Sequence, residues 1–246
     1  MTNLTENNPL WGIVLAAGFG KRLKPLTDVL PKPLITVRGV TLLDHAIQNL
    51  IDVGITNIVV NGHYKAGMIK EHLDQKWNLP NITIHFVYEE EILETGGGIM
   101  NIMRLFNIER ALVSNSDILL IDKTQPALTP LINAPHATEL ILMVQHHSIS
   151  PQGIEYGDFI IAENDHFIFD PQKRGPYFFL GSYIIDQTIF SDRAEVSKFS
   201  MLEYIAKSSS DAYKNTPYFV AHYDGIFLDI GTLSLLSKAE NLILSA

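Results

Sequence analysis

Ile13-Val14-Leu15-Ala16-Ala17-Gly18-Phe19-Gly20-Lys21-Arg22-Leu23 is a short apolar run that breaks into a glycine-rich, basic loop. A continuous hydrophobic run of this length, bounded by Gly18, predicts a parallel strand buried on both faces. Gly18 and Gly20 let the backbone turn tightly and approach a ligand closely. Successive amides there form an anion cradle, and Lys21, Arg22 and Lys24 place cations beside it. The loop differs from both common phosphate fingerprints. A dinucleotide motif needs a third glycine where Leu23 stands, and a P-loop needs Gly-Lys-Ser/Thr.

Outward from this loop, strand-like and helix-like segments alternate. Thr41 to Val53 predicts a helix, with Thr41 as cap, Gly54 as stop, and Leu42, Leu43, Ala46, Ile47, Leu50 and Ile51 at helical spacing. Ile55 to Val60 reads as a strand, Tyr64 to Trp77 as a helix and Ile82 to Tyr88 as extended. Gly98 to Phe106 reads as a helix and Ala111 to Ser114 as a strand. This rhythm predicts βαβ units and a mostly parallel sheet. Further on, Leu140 to Gln145, Phe159 to Ala162, Tyr177 to Ile185 and Tyr218 to Tyr223 are strand candidates. Ser200 to Ser208 and Leu233 to Leu244 are helix candidates. A single domain over 1–246 is expected, with halves at about 10–125 and about 126–246 that share one continuous sheet.

With 18 Lys+Arg against 27 Asp+Glu, the formal charge is −9, which argues against nucleic acid as a partner. The absence of cysteine excludes disulfides and thiolate metal sites. Met1 to Pro9 is polar without Lys or Arg, and Trp11 to Ala17 is too short to span a bilayer. A soluble cytoplasmic protein that does not engage membranes is expected.

Pro31-Lys32-Pro33 adds a stiff, extended mount for one lysine, since each proline disfavours helical backbone in the residue before it. Two aspartates stand at predicted strand ends, where α/β sheets bind ligands: Asp117 after Ala111–Ser114, and Asp229 in Phe227-Leu-Asp-Ile-Gly-Thr232.

Taken together, Leu-Ala-Ala-Gly-x-Gly-x-Arg-Leu-x-Pro-Leu-Thr followed by Pro-Lys-Pro-Leu, from Leu15 to Leu34, resembles the opening of the sugar-1-phosphate nucleotidyltransferases. The resemblance implies a Rossmann-like three-layer α/β sandwich with a mixed, mostly parallel central sheet. It also implies Mg²⁺-dependent joining of an NTP to a sugar 1-phosphate. Asp117 and Asp229 then become the metal ligands, with serine at position 116 where the family usually has glycine. Arg22 would hold the departing phosphates, and Lys32 would neutralise the reacting region. Leu15, Ala16, Ala17, Gly18, Gly20, Lys21, Asn61, Glu94, Thr95 and Gly96 would form the nucleotide site. Asn115, Asp158 and Gly181 would face the sugar.

Glu94-Thr-Gly-Gly-Gly98 is expected to open a helix and let a flat base stack on bare backbone. Glu89-Glu90-Glu91 before it is expected to be solvated surface, because three like charges beside a phosphate site repel. Leu93 to Ile99 is similar to single-domain uridylyltransferases acting on N-acetylmuramate 1-phosphate, so UTP is the favoured nucleotide. Mannose-1-phosphate guanylyltransferases and a non-catalytic, nucleotide-sugar-binding regulatory relative are the alternatives.

Overall fold

The computed structural model describes residues 9–135, 138–150, 152, 156–161, 167–169, 172, 174–211 and 218–242. The first elements are β1 (Trp11–Leu15), α1 (Leu26–Val29), β2 (Thr36–Val37), β3 (Val40–Thr41), α2 (Leu42–Asp52), β4 (Asn57–Gly62), α3 (Ala66–Lys76) and β5 (Thr83–Tyr88). They are followed by α4 (Glu94–Leu105), β6 (Arg110–Asn115), β7 (Ile118–Ile121), α5 (Thr129–Asn133), β8 (Leu140–His146), β9 (Phe159–Ile161) and β10 (Phe167–Phe169). The last are β11 (Tyr177–Asp186), α6 (Met201–Asp211), β12 (Tyr218–His222), β13 (Ile226–Asp229) and α7 (Leu233–Leu242). Ala162 and residues 243–244, expected to extend β9 and α7, lie outside the described residues.

Among the described residues, nine strands form one mixed sheet. Its path is β10-β9-β11-β6-β1-β4-β5, with β8 pairing to β11 and β12 pairing to β8. Strands from both halves of the chain therefore share one hydrogen-bonded surface. The half built from β6, β1, β4 and β5 is parallel throughout, whereas β11 runs antiparallel to β6.

Side-chain alternation along these strands feeds two cores. Val14, Val60, Leu112 and Met143 face α2 and α3 through Ile47, Leu50, Ile69 and Leu73. Their neighbours Ile13, Val59, Val113 and Leu142 face α4 and α6 through Ile99, Met103, Met201 and Ile205. A period-two strand buried on both sides needs apolar residues at every position, which is how Ile13-Val14 reads. The result is the expected three-layer α/β sandwich. A smaller core of Leu23, Leu42, Leu119, Leu228, Ile230 and Ala239 lies beneath an antiparallel β7–β13 pair.

The helix α2 begins where its cap predicts, with Thr41 Oγ1 accepting the Asp44 amide. The helix α4 is a correction. It starts at Glu94 rather than Gly98, so all three glycines lie inside the helix and are buried. Their low helical propensity is overridden by packing. A Cβ on Gly96 would meet the Phe199 ring at 2.2 Å, and one on Gly97 would meet the Ser197 carbonyl at 2.3 Å. The segment before α6 therefore lies directly on the bare α4 backbone.

Candidate active site

Three parallel strands end side by side. Leu15 is in register with Asn61 on β4 and with Asn115 on β6. Beyond this edge lies a cavity of about 190 Å³ lined by Leu15, Ala17, Gly18, Lys32, Pro33, Asn61, Ile92, Glu94, Thr95, Asn115, Ser116 and Asp117.

The glycine loop is anchored where it leaves β1. The Ala16 amide donates to Asn61 Oδ1 at 2.7 Å. The Leu15 carbonyl accepts from both the Ser116 hydroxyl at 2.7 Å and the Ser116 amide at 3.1 Å. The Ser116 side chain thus ties the β6–β7 turn to the loop. Gly20 adopts a left-handed φ of 63°, and a Cβ there would lie 2.9 Å from both Lys32 Cβ and Thr27 Cγ2. Only a residue without a side chain fits that approach. A Cβ on Gly18, which lines the cavity, would meet no protein atom within 4 Å.

Lys32 is buried, and its Nζ donates to Asp117 Oδ2 at 2.7 Å. The turn at Asp117 leads into β7, which pairs antiparallel with β13 so that Asp229 faces Ile118. The Ile230 amide donates to the Asp117 carbonyl at 2.9 Å, locking the two strand ends together. Burial raises the Asp229 carboxyl above its ordinary value. The Asp117 charge adds to this, while Lys32 and Arg22 oppose it. The Arg22 guanidinium lies 4.0 Å from Asp229 Oδ2 and packs on the bare backbone of Gly231. Two carboxylates and two cations thus face one another beside the glycine loop.

Not every anticipated residue joins the cavity wall. Ala16 lies behind it, fastening the loop through Asn61. Lys21 sits over the Phe19 ring at 5.3 Å. The Gly96 amide is committed to the Phe199 carbonyl at 2.9 Å, so this residue supports the helix rather than offering bare backbone to a base. Gly181 occupies the irregular stretch of β11, with a φ of 75°, and packs against Asn115: a Cβ there would meet Asn115 Nδ2 at 2.7 Å. Asp158 stands beside the Gly157–Gly175 bridge, outside the cavity lining.

Pro33, Ile92 and Ser116 line the cavity without having been anticipated there. The larger correction is Glu89. It is 3% exposed, whereas Glu90 and Glu91 are exposed as expected. No local signal separates the three, because burial of the first comes from where β5 ends.

A phosphate-type loop at parallel strand ends, with paired carboxylates and a buried lysine, defines an α/β enzyme that handles phosphoryl groups. The nucleotidyl transferase family profile matches residues 11–246, and the chain belongs to that family. It is 30% identical over 211 residues to N-acetylmuramate alpha-1-phosphate uridylyltransferase of Caulobacter vibrioides, covering 82% of this chain and 86% of that protein. The enzyme of the same description from Neisseria meningitidis is 27% identical over 234 residues, covering 94% of this chain and 96% of that one. In fold, the chain is similar to HddC from Yersinia pseudotuberculosis complexed with GMP-PN, with TM-score 0.72 and 21% identity over 95% of this chain and 99% of that one. It is also similar to apo UDP-glucose pyrophosphorylase, with TM-score 0.79 and 14% identity over 96% and 98%. The resemblance carried by Leu15 to Leu34 is borne out at the level of the family.

Proposed function

We propose that this protein transfers a nucleotidyl group from an NTP to a sugar 1-phosphate and releases pyrophosphate, with UTP and N-acetylmuramate 1-phosphate as the favoured pair. The observation that carries the reading is the convergence of Lys32, Asp117 and Asp229 beside the Leu15–Gly20 loop. A sugar-phosphate oxygen attacks the α-phosphorus, the bond to the bridging oxygen breaks, and pyrophosphate departs. The attacking oxygen is already anionic, so no general base is needed. The protein's task is positioning and charge neutralisation.

The loop amides and Lys32 receive the phosphates, and Arg22 holds the departing pair. Asn61, Glu94 and Thr95 border the nucleotide, while Asn115 and Gly181 border the acceptor. The donor set suits Mg²⁺, a hard cation that takes one or two carboxylates and completes its shell with substrate phosphates and water. Among the described residues no cluster of three or more acidic, imidazole or thiolate groups suggests a self-contained metal cage. When bound by Asp117 and Asp229, Mg²⁺ would supply Lewis-acid polarisation of the phosphoryl oxygens.

The favoured substrate pair is supported by the relatives from Caulobacter and Neisseria and by Leu93 to Ile99. A cytoplasmic location accords with these substrates, and among the described residues no helix is long and apolar enough to cross a membrane. Pyrophosphate release from a matrix of four NTPs against a panel of sugar 1-phosphates, with Mg²⁺, tests the proposal. One productive pair is expected. GTP with mannose 1-phosphate as that pair would replace the favoured substrates. Silence across the panel with nucleotide-sugar binding retained would favour a regulatory role.

A further inference from the structure

Glu89 follows the last residue of β5 and lies behind the cavity without lining it. A carboxylate this deeply buried is costly unless its oxygens are well paired. Both are. Oε1 accepts from Asn61 Nδ2 at 2.6 Å, and Oε2 accepts from the Leu93 amide at 3.1 Å. Its backbone is held as well: its amide donates to the Gly62 carbonyl at 2.9 Å, and its carbonyl lies 2.9 Å from His63 Nδ1. A Cβ on Gly98 would come within 2.8 Å of Glu89 Oε1, so the third glycine of α4 is what admits this carboxylate.

The chain of bonds leads to the glycine loop. The Ala16 N–H can be met only by an acceptor, so Asn61 must present Oδ1 to it and turn Nδ2 toward Glu89. Leu93 presents a second N–H to the same side chain. A carboxylate accepts at both oxygens and satisfies both donors. A carboxamide would aim an NH₂ at one of them.

We infer that Glu89 is a positioning residue for nucleotide binding, acting through Asn61 on the backbone of Ala16 to Gly18. It sets the orientation of the Asn61 amide and, with it, where the loop amides meet the triphosphate. This rests on the cavity being the NTP site.

The test is a donor–acceptor swap in the full chain: Glu89→Gln, Asn61→Asp and the double variant. Affinity for UTP is read by calorimetry, KM for each substrate by pyrophosphate release, and Tm by melting. Glu89→Gln is expected to raise Kd and KM for UTP about tenfold while leaving acceptor KM within about twofold. Asn61→Asp should also weaken UTP binding, because two carboxylates then face each other. In the double variant, Asp at 61 accepts from Ala16 and from the new carboxamide, whose oxygen accepts from Leu93. Every donor again has an acceptor, and UTP affinity should recover above that of the weaker single variant, short of the parent because a carboxylate now stands in the cavity wall.

Unchanged UTP affinity in Glu89→Gln overturns the inference, as does a double variant no better than the weaker single one. An equal rise in both KM values, tracking a fall in Tm, would mark the role as structural only and also overturn it. If Glu89→Gln does not fold, Gly98→Ala presses on the same carboxylate, and an unchanged KM for UTP there overturns the inference. A parent protein that neither turns over nor binds any NTP sinks the function itself, whereas UTP binding that ignores Glu89 sinks this inference alone.

Discussion

Lys32 and Asp117 are separated by 85 residues in the chain, yet Nζ and Oδ2 are 2.7 Å apart. The pairing joins the proline-flanked mount of the first loop to the turn after β6. It places the lysine charge at the cavity wall instead of in solvent. Lys32→Met keeps the stem and removes the charge, so kcat should fall about a hundredfold or more, the usual cost of removing a preorganised charge partner at a reacting phosphate. Lys32→Arg should not restore it, because a planar guanidinium on a longer stem does not reproduce a compact ammonium 2.7 Å from Asp117 Oδ2. Steady-state pyrophosphate release checks both: near-normal turnover in Lys32→Met would remove Lys32 from the reaction, and in Lys32→Arg would remove only the need for a compact ammonium.

Asp229 is a carboxylate whose ionised form the fold disfavours, first through burial and then through Asp117. A folded-state value above the unfolded one means the ionised group costs stability at neutral pH, and that cost vanishes as pH falls and the group protonates. Asp229→Asn should therefore keep or raise Tm at pH 7 in the presence of a chelator while turnover collapses. Added Mg²⁺ should raise the Tm of the parent but not of the variant. A lower Tm together with retained turnover would contradict both parts.

Gly97→Ala should destabilise the protein, although alanine is the better helix former by about 1 kcal/mol. The new Cβ would meet the Ser197 carbonyl at 2.3 Å, and that backbone oxygen cannot step aside as a side chain could. The overpacking penalty is about 1–3 kcal/mol and outweighs propensity. Urea unfolding measures the sign directly. Net stabilisation would show that the segment before α6 does not lie on α4.

Asp44 should make stability depend on pH well below neutrality. Burial alone would raise its carboxyl, but hydrogen bonds from Lys76, Thr41, His72 and Trp77 outweigh burial and hold it at about 2. A depressed value means the stabilisation is full above about pH 5 and is lost as pH falls toward 2, on the order of 2 kcal/mol in all. Urea midpoints of the parent and Asp44→Asn at pH 7, 4 and 2.5 check this. A gap between them that does not narrow on acidification would count against the network.

Much of the fold is legible locally. The strand at Ile13–Val14 and the helix after Thr41 follow from periodicity and capping, which act over a few residues. The entry to α4 is only partly legible: Glu94–Gly98 reads as a helix opening, but three glycines disfavour helical body there until Phe199 and Ser197 pack onto them. The site divides in the same way. Gly20 announces a phosphate loop, since its backbone constraint is intrinsic. The extended mount expected at Pro31-Lys32-Pro33 is a correction: Lys32–Leu34 closes into a 3-10 turn, with the Leu34 amide donating to the Pro31 carbonyl at 2.9 Å. Glu89 looks like Glu90 and Glu91, and only the end of β5 decides which of the three is buried.

From the order of amino acids alone came the strand, the glycine loop, the mounted lysine and two aspartates at strand ends. Each rests on backbone geometry or short-range periodicity. Tertiary structure alone decided that Lys32 meets Asp117, that β7 pairs with β13 to bring Asp229 beside them, and that Glu89 locks Asn61 to the loop. A charge's partner is set by long-range strand pairing and by the need to satisfy buried polar groups, and neither is written in the neighbouring residues.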